Sequence, residues 1–176
     1  QNSNAIISWE TKSGAFYSYQ LSQDPQAELD NRVEEITGEV TFEDLPDGIY
    51  YFSLREKLEG DNWGDTSRRR LMIDTSPPLA FAAKIGQSAT EYNGKYFLTF
   101  ATRDLASGVE QYQVIEGEVV YANAASPYIL VDQSRKNPVI VRAIDKAGNL
   151  IESTIPALPQ TETNWTLAII GGFGVI

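Results

Sequence analysis

The chain has 176 residues, a formal net charge of −10, an apolar fraction of 42%, and neither cysteine nor histidine. Its acidic surface repels phosphate backbones, which argues against nucleic acid as a partner, and the missing cysteines exclude disulfides, thiolate nucleophiles and Cys-ligated metals. Because histidine is the commonest general base and metal ligand, we expect neither an enzyme nor a resident metal or cofactor.

Short runs of alternating apolar and polar residues follow one another along the chain, separated by turn signals rich in glycine, proline, asparagine and aspartate. In the first half these runs predict strands at residues 5–10, 15–21, 39–45, 50–57 and 69–74. In the second half they predict strands at residues 81–85, 95–103, 109–116, 119–122, 127–132, 138–145 and 149–155. The predicted fold class is therefore all-β, made of antiparallel β-sandwiches.

The order of strands and turns repeats, which predicts two sandwiches in tandem, at residues 1–77 and 78–157. Each half has a late strand whose alternate residues share one apolar face. These residues are Tyr50, Phe52 and Leu54 in the first half, and Val139, Val141 and Ala143 in the second. The prolines of DTSPP lie between the halves and stiffen the predicted junction.

The stretch VRAIDKAGN, residues 141–149, has two interpretations, an acidic loop with a chemical role or the turn of a hairpin. We interpret it as a strand that ends in a hairpin turn. Asp145 and Asn149 suit such a turn because their side chains bond nearby backbone, and Gly148 can adopt a positive φ. Catalysis would need a second convergent acid, and the sequence does not indicate one.

In the first half, Trp9 stands in the first predicted strand, and LPDGIYYFSLR carries Leu45 and Tyr50. Through these residues the first half resembles a fibronectin type III domain, which implies that Trp9 is the buried tryptophan of the second strand and that Leu45 and Tyr50 lie in a tyrosine corner. The resemblance implies a further strand before the one that carries Trp9, but only QNSN precedes it. We expect this first strand to be missing from the chain or supplied by another segment.

The second half resembles the bacterial immunoglobulin-like modules found in tandem in surface proteins, through DLASGVEQY and VRAIDKAGN. Together the two resemblances cover about residues 5–157. The residues that we expect to form the structural cores are Trp9, Tyr50, Phe52, Leu54, Phe100, Tyr112, Val139 and Val141.

The residues offer two alternatives for a binding site. Calcium is one alternative, because acids stand at strand ends and in the linker, at Asp74, Asp104, Asp132 and Asp145. The chain has no closely spaced run of acids in these stretches, and we predict no metal site. Aromatic residues in loops, Trp63 and Tyr92, are candidates for a ligand-binding loop that contacts a glycan or a protein. The alternative for Trp63 is that it folds back over the sandwich edge.

The C-terminal stretch NWTLAIIGGFGVI has 12 residues without charge, from Trp165 to Ile176. A bilayer core needs about 20 residues, so the stretch is too short to cross by itself. We expect residues 158–164 to form a polar linker and residues 165–176 to begin a transmembrane helix. Its anchoring residues would be Trp165, Leu167, Ile169, Ile170 and Phe173. The alternative is a segment that packs on a partner.

The sequence thus favours a non-catalytic pair of spacer modules in a membrane-anchored bacterial surface protein, extracellular and at the cell surface. Its expected partners are the membrane and neighbouring domains of a longer chain. The alternatives are an adhesin or carbohydrate-binding module, an accessory domain of a secreted enzyme, and a self-associating fibre subunit. In the fibre subunit, a neighbour would supply the missing first strand.

Overall fold

The computed structural model describes residues 3–34, 37–57 and 62–159 of the chain. Within these ranges the chain forms twelve β-strands and a single 3₁₀ turn at Tyr92–Gly94. All strand pairs are antiparallel, which confirms the predicted all-β class. The strands fall into two groups, one on each side of the DTSPP linker.

The first group forms a sandwich of a two-stranded and a three-stranded sheet. β1 pairs with β3 in one sheet, and the order of the other is β2-β4-β5. The strands are β1 Ala5–Ser8, β2 Phe16–Ser22, β3 Glu39–Phe42, β4 Gly48–Lys57 and β5 Ser67–Ile73.

An aromatic cluster joins the two sheets of this first sandwich. The Phe42 ring of β3 lies with its centroid 6.2 Å from that of Phe52 on β4 and 6.4 Å from that of Tyr19 on β2. Trp9 extends the cluster, with ring centroids 5.5 Å from Tyr19 and 6.0 Å from Phe52. Aromatic side chains bury large areas, so these rings supply much of the core of a small sandwich.

The second group forms a sandwich of a three-stranded and a four-stranded sheet. The order of one sheet is β10-β7-β6 and of the other β12-β11-β8-β9. The strands are β6 Lys84–Gln87, β7 Tyr96–Thr99, β8 Val109–Glu116, β9 Val119–Tyr121, β10 Tyr128–Ile129, β11 Val139–Asp145 and β12 Leu150–Ile155. The chain changes sheet after β7, after β9 and after β10, and this order of strands is that of an immunoglobulin-like sandwich.

The core of the second sandwich is aliphatic and lies between its two sheets. Leu98 on β7 faces Val114 on β8 and Val141 on β11, and all three side chains are fully buried. The pattern of β11, in which alternate residues are buried, agrees with the period predicted for it.

The strand predicted at residues 81–85 begins later in the structure, at Lys84. The preceding residues contact other elements: Leu79 N–H donates to the Arg103 carbonyl at 2.9 Å, and Ala83 N–H donates to Ser153 Oγ on β12 at 2.9 Å. The segment therefore crosses from one sheet to the other before it joins β7.

Among the described residues, no helix is long and apolar enough to cross a membrane. The predicted anchor at residues 165–176, with Trp165, Leu167, Ile169, Ile170 and Phe173, lies outside the described residues.

Candidate functional site

The stretch VRAIDKAGN forms the end of β11, a tight turn and the entry into β12. Asp145 N–H donates to the Asn149 carbonyl at 3.0 Å, and Gly148 has φ +90°. The predicted hairpin is therefore present. A residue with a side chain would be strained at Gly148, because this backbone region favours glycine.

Asp145 is fully buried at the base of this hairpin. Its Oδ1 accepts the backbone N–H groups of Ala147 at 2.9 Å and Asn149 at 2.8 Å. Its Oδ2 accepts the side-chain amide of Asn149 at 2.8 Å. These donors replace the water that a carboxylate loses on burial, which is the condition for keeping such a group inside a fold.

The Asn149 side chain also reaches the linker between the sandwiches. Its Nδ2 donates to the carbonyls of Asp74 and Ser76, each at 3.1 Å. The Asp74 carboxylate in turn accepts the N–H of Ser107, in the loop before β8, at 3.0 Å. Two loops of the second sandwich are thus bonded to the linker.

The first sandwich holds the same linker from the other side through Asp47, which precedes β4. Its Oδ1 accepts both the N–H and the hydroxyl of Thr75 at 2.8 Å, and its Oδ2 accepts the Ser76 hydroxyl at 2.7 Å. Hydrogen bonds from Ser76 and then Thr75 lower the pKa of Asp47 below its usual value. Pro78, a few residues on, is fully buried.

Three carboxylates meet at this junction, those of Asp74, Asp104 and Asp145, with one oxygen of each within 4.8 Å of the others. Asp104 Oδ1 accepts the N–H groups of Gly108 at 2.8 Å and Ala106 at 2.9 Å. The bond from Gly108 is the main cause that lowers the pKa of Asp104. Hard cations prefer carboxylate oxygens of this kind as ligands. At this junction, backbone N–H groups already compensate part of the negative charge of the carboxylates.

These three acids are among the four that the sequence offered as an alternative for calcium, and the structure brings them together without the fourth. Asp132 was considered with them, but it lies at the opposite end of the second sandwich. There its N–H donates to Glu116 Oε2 at 2.7 Å, and its carboxylate accepts the Ser134 N–H at 2.8 Å. In the sequence, Asp104 and Asp145 each precede a turn that contains glycine, and Asp74 stands in the linker. This combination is the signal that could have predicted the junction.

A second buried polar group that the sequence did not indicate is Glu116, at the end of β8. Its carboxylate accepts the Tyr128 hydroxyl and the Val131 N–H, both at 3.0 Å. Burial and the Glu116 carboxylate raise the pKa of Tyr128 well above its usual range. Nearby, the buried Arg135 donates to the Pro156 carbonyl at 2.6 Å and stacks over the Tyr96 ring. This network braces the end of the sandwich that is remote from the junction.

The two aromatic residues proposed as a ligand-binding loop do not come together. Trp63 is half-buried, pairs with Lys57 at the end of β4 and has the Lys57 ammonium 5.9 Å from its ring centroid. Tyr92 lies in the 3₁₀ turn of the other sandwich, with its ring 4.8 Å from that of Phe97. Each aromatic packs on its own sandwich.

The residues expected in the cores lie in or beside them. Tyr50, Phe52, Phe100, Val139 and Val141 are buried, whereas Trp9, Leu54 and Tyr112 are half-buried. Tyr50 donates its hydroxyl to the Pro46 carbonyl at 2.9 Å, the bond that defines a tyrosine corner. The indole N–H of Trp9 is buried without a hydrogen-bond partner among the described residues.

Neither a protein-family model nor a curated protein matches the chain. Among solved structures, the chain is similar to an amphioxus IgVJ-C2 molecule, at 15% sequence identity and a TM-score of 0.38. The match covers 88% of this chain and 96% of that one.

Proposed function

We propose that the chain is a non-catalytic spacer, a pair of sandwiches that holds other parts of an extracellular, membrane-anchored surface protein at a set distance and direction. The observation that carries this proposal is the hydrogen-bonded junction. Asp47 of the first sandwich and Asn149 of the second both bond the same linker residue, Ser76, one through its hydroxyl and one through its carbonyl.

The mechanism is mechanical. A linker bonded from both sides resists bending, because a change of angle would break these bonds. The bonds of Asn149 to the linker are buried or partly buried, where water replaces them poorly, whereas those of Asp47 are exposed and contribute less. The fully buried Pro78 adds a fixed φ at the same point. Flexible surface linkers have the opposite character, with few contacts to the domains that they join.

The acidic groups also fit a structural role better than a catalytic one. Asp145 is fully buried behind its own hairpin and bonded to three N–H donors, which leaves no route for a substrate. The carboxylates of Asp74 and Asp104 likewise accept backbone N–H groups that order their loops. The alternative of a carbohydrate-binding module has less support, because Trp63 and Tyr92 belong to different sandwiches.

The test is a distance measurement across the junction. The natural chain has no cysteine, so Thr41→Cys on β3 and Thr154→Cys on β12 give two unique positions for spin labels, both exposed. Pulsed electron spin resonance should give a single narrow distance distribution. Asn149→Ala should broaden it, whereas Asn62→Ala, an exposed asparagine away from the junction, should leave it unchanged. A broad distribution in the natural chain would refute the spacer proposal.

A further inference from the structure

The outer face of the four-stranded sheet in the second sandwich carries a row of apolar side chains. Alternate residues of β11 are buried in the core, so the residues between them, such as Ile140, point outward. The register places Ile140 directly beside Ile115 of β8, and Ile115 directly beside Val120 of β9. On the other side of Ile140 lies Thr154 of β12. The row thus crosses all four strands and includes three neighbouring apolar residues.

The next row along the strands is polar and electrically balanced. Arg142 Nε donates to Glu152 Oε1 at 2.8 Å, and Arg142 Nη1 donates to Gln113 Oε1 at 3.2 Å. The positive and the negative side chain of this row neutralise each other, in a chain whose net charge is −10. Two copies of such a chain repel each other at their acidic surfaces, so a neutral face is where they can approach.

The described part of the chain leaves this face open. Val120 is 52% exposed, and Leu150, at the start of β12, is 49% exposed. Leu150 pairs with Ile144 of β11, so a second group of apolar residues lies on the same face beyond the polar row. The outward residues of a solvated sheet face are usually polar, whereas an exposed apolar patch with a polar centre is typical of a surface that binds another protein.

We infer that this outer face binds the same face of a second copy of the chain, around a two-fold axis that runs along the strands. Such an axis exchanges β8 with β11 and β9 with β12, because these strands are neighbours in the order β12-β11-β8-β9. Ile115 of one copy then lies on Ile140 of the other, and Val120 lies on Thr154. The contact is isologous, so it closes as a dimer.

The charged row selects this axis over an axis at right angles to the strands. The second axis, placed through the polar row, would lay each strand on its own copy and oppose Arg142 to Arg142 and Glu152 to Glu152. Like charges that face each other across an interface are unfavourable. Around the axis along the strands, Arg142 faces the neutral Gln113 of the other copy, and Glu152 lies over the edge formed by β9.

The face is large enough for a weak but specific dimer. Its strands are about 4.8 Å apart and rise about 3.4 Å per residue, so four strands of about six residues span about 19 by 20 Å. Two such faces bury on the order of 1,000 Å² in total, at the low end for specific interfaces. We therefore expect dimerisation to depend on concentration. The inference does not rest on the spacer proposal, which concerns the junction within one chain.

The test compares two double variants of the full-length chain that differ only at Thr154. Val120→Lys with Thr154→Lys opposes lysine to lysine twice across the interface, whereas Val120→Lys with Thr154→Glu opposes lysine to glutamate. Within one chain the two positions lie on opposite edges of the sheet, about 14 Å apart, so they cannot pair with each other. Both positions are exposed on edge strands, so both variants should fold, which circular dichroism checks.

Sedimentation velocity between about 10 µM and about 1 mM should show a monomer–dimer equilibrium for the natural chain. The lysine–lysine variant should associate at least about tenfold more weakly than the lysine–glutamate variant, because it opposes like charges. Its added lysines reduce the net negative charge, so general repulsion between copies cannot explain this loss. Ile129→Lys with Val131→Lys is the matched control. It adds the same charge at exposed positions on the other side of the sandwich and should still dimerise.

Three outcomes would overturn the inference. The first is a natural chain that stays monomeric at about 1 mM, as expected if the face binds a different protein. The second is equal association of the lysine–lysine and lysine–glutamate variants, because Val120 and Thr154 then do not meet across an interface. The third is a loss in the Ile129 and Val131 control as large as that in the lysine–lysine variant, because the position of the lysines would then not matter.

Discussion

Replacing Asn149 by alanine should destabilise the second sandwich and loosen the junction together. The side chain is 3% exposed, and its amide donates to Asp145 Oδ2 and to the carbonyls of Asp74 and Ser76. A hydrogen bond to a neutral acceptor contributes about 1 kcal/mol net and one to a charged acceptor about 1.5–3 kcal/mol. One amide group shares its two hydrogens among these acceptors, so the expected loss is about 2–4 kcal/mol.

Calorimetry of the purified chain measures this loss. For a domain of this size, 1 kcal/mol corresponds to about 4–8 °C, so the transition of the second sandwich should fall by about 8–32 °C. The transition of the first sandwich should move much less. Asn62→Ala, at an exposed position, should shift neither transition. A change below about 0.5 kcal/mol for Asn149→Ala would mean that water replaces these bonds and that the junction is not held by them.

Three further changes probe other parts of the structure. Trp9→Ala should lower the free energy of unfolding of the first sandwich by about 3 kcal/mol, as a large-to-small change beside Tyr19 and Phe52, and urea titration followed by circular dichroism measures it. Gly148→Ala should cost about 1–2 kcal/mol, because φ is +90° at the hairpin, whereas Gly148→Asn, a residue that tolerates positive φ better, should cost less. Asp104 has a lowered pKa in the folded state, so its stabilising contribution is present above its unfolded pKa and is lost as pH falls through the folded value. Acid titration should therefore show a smaller loss of stability below about pH 4 in Asp104→Asn than in the natural chain, and an NMR titration of the carboxyl group checks the direction of the shift.

Local patterns in the sequence were sufficient for the strands and for the hairpin at residues 141–149. Alternating burial along β11 reflects a period of two, which is a property of the strand itself. The turn chemistry of Asp145 and Gly148 is equally local, since it depends on a side chain that bonds its own backbone and on one positive φ. A few adjacent residues are therefore enough to predict the alternating burial and the turn.

The start of β6 shows where local reasoning stops. Residues 81–83 have the composition of a strand, but Ala83 bonds Ser153 on a different sheet. The local pattern of the segment does not indicate which sheet each of its residues bonds to, because this depends on strands that lie far away in the chain.

The sequence by itself thus determined that the chain is all-β, that its strands alternate between core and solvent, and that VRAIDKAGN is a hairpin. Only the tertiary structure decided that Asp74, Asp104 and Asp145 converge and that the Asn149 side chain bonds the linker. The physical reason is the range of the interactions. Periodicity and turn chemistry act over a few bonds of the backbone, whereas the junction arises from contacts between residues 28 to 75 positions apart, and these form only once the sheets have packed.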